Sequence, residues 1–130
     1  DPRMGRPTSR ELTDGELELM HVYWRRGEIT ASDARDDLAA AGRDLAYVTV
    51  ANLTRILVDK GLLAPTNEQR PFRYRPVRTF EEVSRGFLGD LLERVFQGSR
   101  EQLLVNLFGR RKRLTAKERA LLEQILKEHA

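Results

Sequence analysis

The sequence contains no cysteine among its 130 residues. This absence excludes disulfide bonds, thiolate metal sites and cysteine nucleophiles, and it is compatible with a reducing cytoplasm. The sequence also lacks any apolar run close to the roughly 20 residues that a membrane-spanning helix needs, and it has no signal-peptide core. We therefore expect a soluble, cytoplasmic protein without membrane insertion.

Side chains that commonly carry catalysis are scarce. The two histidines, His21 and His129, lie far apart in the sequence, and neither has a plausible nucleophile or metal ligand as a partner. There is no glycine-rich phosphate loop and no carboxylate pair in a distinctive context. We therefore expect a protein that is not an enzyme and that binds no metal and no cofactor.

Positive charge is unevenly distributed, although the formal net charge of the chain is only +3. Residues 1–42 carry six arginines and nine acidic residues, hence −3, whereas residues 43–78 carry seven basic and three acidic residues, hence +4. A segregated basic region is typical of proteins that bind a polyanion. The segment 43–78 is therefore the first place to expect a nucleic-acid interface.

Two helix signals precede this basic region. Thr13 and Glu16 have the spacing of a capping box, which starts a first helix, and Thr30 and Asp33 start a second helix that ends near Gly42. Between the two helices the sequence has a short strand signal. Each capping box predicts where a helix begins, because its side chains satisfy backbone donors of the first turn.

A third helix and a hairpin follow in the basic region. The helix ends at Lys60-Gly61, a cation and a glycine that are typical of a helix C-terminus. Two strand signals, at 62–66 and 72–76, are separated by a polar turn. The order helix, strand, helix, turn, helix, hairpin is that of a winged helix-turn-helix domain, in which the helix after the turn enters the major groove.

The third helix has two chemically different faces. Its apolar stripe, Val50, Leu53, Thr54 and Leu57, is expected to be buried. On the opposite face, small residues would let the backbone approach a groove floor, while Asn suits adenine and Arg suits guanine or phosphate. We predict DNA-reading roles for Tyr47, Val48, Thr49, Ala51, Asn52 and Arg55. Such a face on an isolated helix is more often simply solvated, and the adjoining hairpin is what favours DNA reading.

The hairpin, or wing, places aromatic and basic side chains on opposite faces. In its second strand Phe72 and Tyr74 share one face, and Arg73 and Arg75 share the other, because side chains alternate along a strand. Arg70 lies near the tip of the hairpin. We predict that Arg70, Arg73 and Arg75 contact phosphates, although arginines on a solvated hairpin also occur in proteins that bind no nucleic acid.

Residues 79–130 contain helix signals only. Three capping-box spacings mark helix starts: Thr79 with Glu82, Ser99 with Gln102, and Thr115 with Glu118. Three short helices cannot enclose their apolar surface in a monomer, so we expect a homodimer of interlocked copies. The predicted interface comprises Phe80, Val83, Phe87, Leu88, Leu91, Leu92, Val95, Phe96, Leu103, Leu104, Leu107, Phe108, Leu122 and Ile125. The alternative is that these helices pack back on the winged domain.

The expected fold is mainly α with a small β-hairpin wing. It comprises a disordered segment at 1–11, a winged helix-turn-helix DNA-binding domain at 12–78 and a helical dimerisation domain at 79–130.

Five motifs occur along the chain: LTDGELELM at 12–20, LAYVTV at 45–50, DKGLL at 59–63, RYRP at 73–76 and GDLLERVFQGS at 89–99. In this order and spacing, the chain resembles the penicillinase-repressor family of bacterial winged-helix regulators, the BlaI/MecI/CopY group.

The resemblance implies a homodimeric repressor that binds a pseudo-palindromic operator in double-stranded DNA and occludes a promoter in the bacterial cytoplasm. In the family, positions matching Val48, Thr49, Ala51 and Asn52 face the groove. Many members carry the helix arginine one position later, where this chain has Ile56. We therefore expect a base preference that differs from the family's usual operators.

The resemblance also bears on how repression is relieved. Copper-responsive members bind metal through C-terminal cysteines, and the absence of cysteine excludes that mechanism. Members linked to β-lactam resistance are cleaved beside an Asn-Phe pair when a membrane sensor-peptidase signals, and the nearest match here is Asn106-Leu107. This bond is a candidate cleavage site for a sensor-linked protease. The simpler interpretation makes Asn106 a polar helix position between core leucines.

Two further alternatives concern charged residues. The basic run Arg110–Arg113 is interpretable as a second DNA contact, as a protease-recognition surface or as a solvated loop, of which the loop is the simplest. The chain as a whole has an alternative function as a winged-helix module that binds only protein, which Asp44 and Asp59 beside the reading face would suit. The salt dependence of duplex binding discriminates between these functions.

Overall fold

The computed structural model describes residues 12–109 and 113–128, which form six α-helices and three short strands. In chain order the elements are α1 (Asp14–Arg26), β1 (Ile29–Thr30), α2 (Ala31–Ala40), α3 (Tyr47–Asp59), β2 (Leu63–Pro65), β3 (Arg73–Pro76), α4 (Phe80–Asp90), a π-helical turn (Leu91–Val95), α5 (Arg100–Phe108) and α6 (Ala116–Glu128). The disorder predicted for residues 1–11 and most of the Arg110–Arg113 run lie outside the described residues.

The helices and the small antiparallel sheet confirm the predicted fold class, which is mainly α with a β-hairpin wing. The chain divides into two compact units, the first ending at Asp90 and the second beginning at Leu91. The sequence pattern placed a boundary earlier, at the end of the wing near Arg78. In the structure, α4 belongs to the first unit together with the winged helix-turn-helix elements.

Side-chain caps fix the starts of α1 and α2. The Glu16 N–H donates to the Thr13 hydroxyl at 3.2 Å, and the Thr13 N–H donates to the Glu16 carboxylate at 3.0 Å. Thr30 and Asp33 form the same reciprocal pair at 3.0 and 3.2 Å. Both predicted capping boxes are confirmed. Each satisfies two backbone donors that the start of a helix leaves without an intrahelical partner.

A glycine turn joins α3 directly to the sheet. Gly61 has φ +79°, a left-handed conformation that costs a residue with a side chain more than it costs glycine. Its N–H donates to the Val58 carbonyl at 3.0 Å, and the Leu62 N–H donates to the Leu57 carbonyl at 2.9 Å. These are the two bonds of a Schellman cap. The chain reversal buries Leu62 and the adjacent Leu63.

The core of the first unit lies between α1, α2 and α3. The predicted apolar face of α3 is confirmed at Val50, Thr54 and Leu57, which are at most 1% exposed, whereas Leu53 is half-buried and packs against the same core. The hydroxyl groups of Tyr23 and Thr54 lie 3.1 Å apart, so these two buried polar groups satisfy each other. Burial raises the pKa of Tyr23 to about 12.

β3 is the middle strand of the sheet, between β1 and β2. Ile29 of β1 pairs with Tyr74 of β3. The predicted alternation is confirmed: Tyr74 packs against the core, where its ring centroid lies 6.3 Å from that of Tyr23, while Arg73 and Arg75 are exposed. The wing is therefore anchored to the helices through its aromatic face.

Aromatic and aliphatic contacts fasten α4 to α1. Trp24 donates from Nε1 to the Arg78 carbonyl at 2.9 Å, and its ring centroid lies 5.4 Å from that of Phe80. Val83 is only 6% exposed, and Phe87 packs against the same core. Val83 and Phe87 therefore help to fold the first unit. Val83 retains almost no side-chain surface for the dimer contact predicted for it.

The apolar residues that begin at Phe80 continue to Phe96, but the type of helix changes between them. The α-helical part stops at Asp90, and Leu91–Val95 form a π-helical turn. Gln97 and Gly98 then have positive φ angles of 52° and 83°. The continuous apolar pattern therefore covers two elements that belong to different compact units.

The second unit begins its helices as predicted. The Gln102 N–H donates to the Ser99 hydroxyl at 3.1 Å, and Thr115 and Glu118 form a reciprocal capping box at 2.9 and 3.0 Å. Between residues 91 and 109 and between 113 and 128, no residue is classed as buried. The large exposed apolar side chains of this unit are Leu91, Val95, Leu104, Val105, Leu107, Phe108, Leu121, Ile125 and Leu126.

Candidate nucleic-acid interface

The solvent side of α3 carries the residues predicted to read DNA. Tyr47 and Val48 are 52% and 62% exposed, and Thr49, Asn52 and Arg55 are also exposed. They face solvent because the buried stripe occupies the opposite side of the same helix. This face offers apolar surface suited to a thymine methyl group and amide and guanidinium donors suited to base edges.

A groove of about 850 Å³ separates α3 from the wing. Tyr47, Ala51, Asn52 and Arg55 line it from α3, and Arg70 lines it from the wing. The structure thus brings four of the predicted reading residues together with one predicted phosphate contact. Polar donors and positive charge therefore share one surface, on which contacts to base edges and to phosphate can be combined.

The other predicted DNA-contacting residues lie outside this groove. Val48 and Thr49 belong to the exposed first turn of α3, beside the groove but not in its lining. Arg73 and Arg75 lie on the face of β3 opposite to Tyr74, which does line the groove. The two sets of predicted wing contacts therefore occupy different surfaces of the wing.

Sequence reasoning missed several residues that line the groove. Thr30 and Ser32 line it from the start of α2, and Phe72 and Tyr74 line it from the wing. The capping box at Thr30 indicated where α2 begins, but its proximity to α3 depends on how the helices pack. Burial raises the pKa of Tyr74. The Tyr74 hydroxyl can both donate and accept a hydrogen bond beside the groove.

The two arginines of the groove have exposed partners within the chain. Arg55 Nη1 lies 3.5 Å from Asp59 Oδ2 one helical turn later, and both side chains are more than 60% exposed. The Arg70 guanidinium lies 5.7 Å from the centroid of the Phe72 ring. Exposed contacts of these kinds contribute about 0–1 kcal/mol each. Either arginine can therefore exchange its partner for a phosphate or a base edge at small cost.

Arg73 is engaged more closely than the groove arginines. Its Nη2 donates to the Glu28 carbonyl at 2.9 Å, and its Nε donates to the Glu28 carboxylate at 3.3 Å. Thr66 Oγ1 donates to the same carboxylate at 2.8 Å. The hydrogen bond from Thr66, followed by that from Arg73, lowers the pKa of Glu28. This geometry does not favour the phosphate contact predicted for Arg73.

Two ion pairs fasten the ends of α3 to α1. Lys60 Nζ lies 2.6 Å from a carboxylate oxygen of Glu16, which is buried. Before α3, the Arg43 Nε donates to both carboxylate oxygens of Glu18, at 3.1 and 2.9 Å. Of the seven basic residues in segment 43–78, Arg43, Arg55, Lys60 and Arg73 each have a carboxylate partner within the chain. The charge count overstates the positive charge that segment 43–78 presents to a polyanion.

The candidate cleavage site lies in α5. Asn106 and Leu107 are both exposed, and Asn106 Nδ2 donates to the Gln102 carbonyl at 2.9 Å, within the helix. The peptide bond between them is part of the α-helix. Cleavage there would require the end of α5 to unwind, and the site stays a prediction.

Among the residues that the structure describes, no group of three or more His, Cys, Asp or Glu side chains could hold a metal ion. Over residues 12–109 and 113–128, no helix combines the length and the apolar character required to cross a membrane.

Comparisons with known proteins extend over both units. The family model described as Penicillinase repressor matches residues 12–128. The Transcriptional regulator BlaI of Mycobacterium tuberculosis is 33% identical over 100 residues, which cover 76% of this chain and 72% of that protein. The Penicillinase repressor of Bacillus licheniformis is 27% identical over 119 residues, which cover 92% of this chain and 91% of that protein. Both names describe regulators, and neither describes an enzyme.

Proposed function

The chain belongs to the penicillinase repressor family, and we propose that it acts as a homodimeric, sequence-specific repressor that binds an operator in double-stranded DNA. The observation that carries this proposal is the groove between α3 and the wing, where Asn52 and Arg55 face Arg70. Such a surface can read base edges from one wall and hold a phosphate from the other.

In the proposed complex, α3 enters the major groove, which is wide enough for a helix. Thr49 and Ala51 have short side chains, so the helix backbone can approach the base pairs closely. Asn52 and Arg55 then reach base edges, and Arg70 and the exposed Arg75 hold phosphates beside the groove. Two ion pairs already hold α3 on α1, so little ordering of the reading helix would be needed on binding.

The proposed dimer rests on the exposed apolar surface of the second unit. Leu104, Leu107 and Phe108 of α5 are 44–60% exposed, and Ile125 of α6 is 44% exposed. A second copy of the chain would cover these large exposed apolar side chains. A two-fold dimer would present two reading helices to a pseudo-palindromic operator. Occupation of an operator that overlaps a promoter would exclude RNA polymerase.

Relief of repression is proposed to follow from cleavage between Asn106 and Leu107 by a sensor-linked protease in the cytoplasm. The support is the exposure of both residues and their position beside the apolar surface of α5. Cleavage would separate part of the dimer surface from the DNA-binding unit. A signal that left this bond intact while releasing DNA would contradict the proposal.

The proposed function is tested by titrating short duplexes with the purified protein at several salt concentrations. A reader that makes about six phosphate contacts gives a log-log slope near −5, and it binds an operator more tightly than a scrambled duplex. A winged-helix module that binds only protein gives no measurable duplex affinity at low salt. Absence of duplex binding would therefore favour that alternative and reject DNA reading.

A further inference from the structure

The acidic residue Glu28 lies on the same face of the sheet as two wing arginines. It directly precedes β1, in which Ile29 pairs with Tyr74, so the antiparallel register continues to place it opposite Arg75. Arg73 and Arg75 both lie on the face of β3 that is turned away from Tyr74. A carboxylate therefore stands beside the arginines that a phosphate would have to reach.

Hydrogen bonds accepted by Glu28 connect all three strands. The chain at Glu28 leads into β1, its carbonyl and carboxylate accept from Arg73 on β3, and its carboxylate accepts from Thr66 at the end of β2. The Thr66 N–H also donates to the Arg73 carbonyl at 2.8 Å. Three side chains thus link the strands across one exposed face of the sheet.

The same residues support the loop that carries Arg70. The Arg73 N–H donates to Asn67 Oδ1 at 2.9 Å, and Asn67 Nδ2 donates to the carbonyls of Gln69 and Pro71 at 3.1 and 3.2 Å. Through Asn67, Arg73 is therefore linked by hydrogen bonds to Gln69 and Pro71, the residues on both sides of Arg70. A shift of β3 would move Arg70 relative to α3 across the groove.

We propose that Glu28 and Arg73 are positioning residues of the wing, which hold β3 and its loop so that Arg70 faces α3, and that Arg73 does not contact phosphate. The proposal rests on the DNA-binding function proposed above. An ion pair within the protein has no net charge, so it contributes little to the release of counterions from DNA. Its contribution to binding comes through the place that it gives to Arg70.

The test compares a charge-matched pair of substitutions with a single charge removal. The double variant Glu28→Ala/Arg73→Ala removes the pair without changing the net charge, whereas Arg70→Ala removes one positive charge from the same wing. We expect the double variant to bind the operator about fivefold more weakly, which corresponds to the upper range for an exposed ion pair, with an unchanged salt slope. Arg70→Ala should reduce the magnitude of the slope by about 0.9.

Thr66→Val provides an uncharged control for positioning. It removes the hydroxyl donor to Glu28 while it keeps a β-branched side chain at the end of β2. We expect an affinity loss of about two- to threefold with no change in the salt slope, since one exposed hydrogen bond is removed. Thermal unfolding of each variant identifies any loss of affinity that comes from unfolding.

Amide hydrogen exchange of the protein without DNA gives a second readout. In the double variant, the amides of Thr66 and of residue 73, which in the wild type donate to the Arg73 carbonyl and to Asn67 Oδ1, should exchange faster, while those of α3 should not change. A salt slope that decreases by about 0.9 in the double variant would assign Arg73 to a phosphate and overturn the proposal. Unchanged affinity and unchanged exchange would also overturn it. Failure of the wild type to bind any duplex would instead reject the proposed function, and hydrogen exchange would still decide the positioning role.

Discussion

Arg55 is the reading-face residue with the greatest capacity to discriminate bases. Its guanidinium can make a bidentate contact with guanine, and its present partner, Asp59, is an exposed carboxylate on the same helix. Asn52, one turn earlier, has the complementary preference for adenine. An operator preference of this chain would therefore depend most on Arg55.

Removal of the Arg55 side chain should relax sequence preference. We predict that Arg55→Ala reduces the difference in binding free energy between operator and scrambled duplex by about 1–3 kcal/mol. The measurement is the ratio of the two Kd values at one salt concentration. Asp59→Ala is the matched control, because it breaks the same ion pair but should preserve this ratio. Equal weakening on both duplexes would exclude base reading by Arg55.

Tyr23 should make stability depend on pH in the alkaline range. Burial raises its pKa from the ordinary value of 10.0 to about 12, so the folded state holds the phenolic proton more tightly than the unfolded state. Its contribution is therefore complete below about pH 10 and is lost as the pH rises through about 12. Because other groups also titrate there, the informative quantity is the difference between wild type and Tyr23→Phe.

We predict that Tyr23→Phe lowers the free energy of unfolding by about 1 kcal/mol at pH 7, because the hydrogen bond to buried Thr54 is lost. Between pH 10 and 12 this deficit should shrink, since phenylalanine has no proton to lose. Denaturant unfolding at pH 7, 9 and 11 measures both effects. A deficit that is constant with pH would show that Tyr23 titrates normally in the folded state.

At the scale of elements, the sequence predicted most where structure is decided locally. The capping boxes at Thr13 and Thr30 gave the starts of α1 and α2, and the apolar spacing of α3 gave its buried face. The pair of Glu28 and Arg73 was not predicted, because these residues are 45 positions apart and become neighbours only when β1 joins the sheet. The residue pattern within one helix or strand does not show which residues of another element will lie beside it.

The packing partners of the apolar side chains in α4 were predicted only in part. The spacing of its apolar residues does not assign each side chain to a partner. The structure buries Val83 in the first unit and leaves Leu88 53% exposed. The change from α-helix to π-helical turn at Leu91 is equally absent from the periodicity, because apolar residues continue through it.

We expect the ion pair between Lys60 and buried Glu16 to stabilise the packing of α3 on α1 more than the exposed pair between Arg43 and Glu18 does. Glu16→Gln keeps a capping side chain for α1 but removes the charge that faces Lys60. We predict a loss of about 1–3 kcal/mol in the free energy of unfolding, because Glu16 is only 5% exposed. Glu18→Gln, which breaks the exposed pair with Arg43, should cost less than about 1 kcal/mol. Equal losses in the two variants would contradict this ranking.

At the scale of the whole molecule, specificity would come from two reading helices held at a fixed spacing. In the proposed dimer, the exposed apolar side chains of α5 and α6 would supply the surface for this pairing. Of the interface predicted from the sequence, the residues of the second unit remain its basis. Val83 is buried in the core of the first unit, and Phe87 is half-buried against that core.

Dimerisation should fail when a charge is placed on the apolar face of α5. Leu104 is 51% exposed, so Leu104→Asp should leave the fold of the first unit intact while making burial against a second copy costly. We predict a monomer by sedimentation and operator binding that is weaker by at least about tenfold, because each half-site must then bind separately. Gln102→Asp, which adds the same charge to the same helix, should remain a dimer. A dimeric Leu104→Asp protein would place the interface elsewhere.

The central claim is that two copies of the groove between α3 and the wing read duplex DNA as a pair. Selection of bound sequences from a pool of random duplexes tests it most directly. We predict enrichment of one inverted repeat, with half-site centres separated by about one helical turn or a multiple of it, and loss of the enriched bases when Asn52 and Arg55 are both replaced by alanine. A pool that stays random after repeated selection with the wild-type protein would contradict the claim.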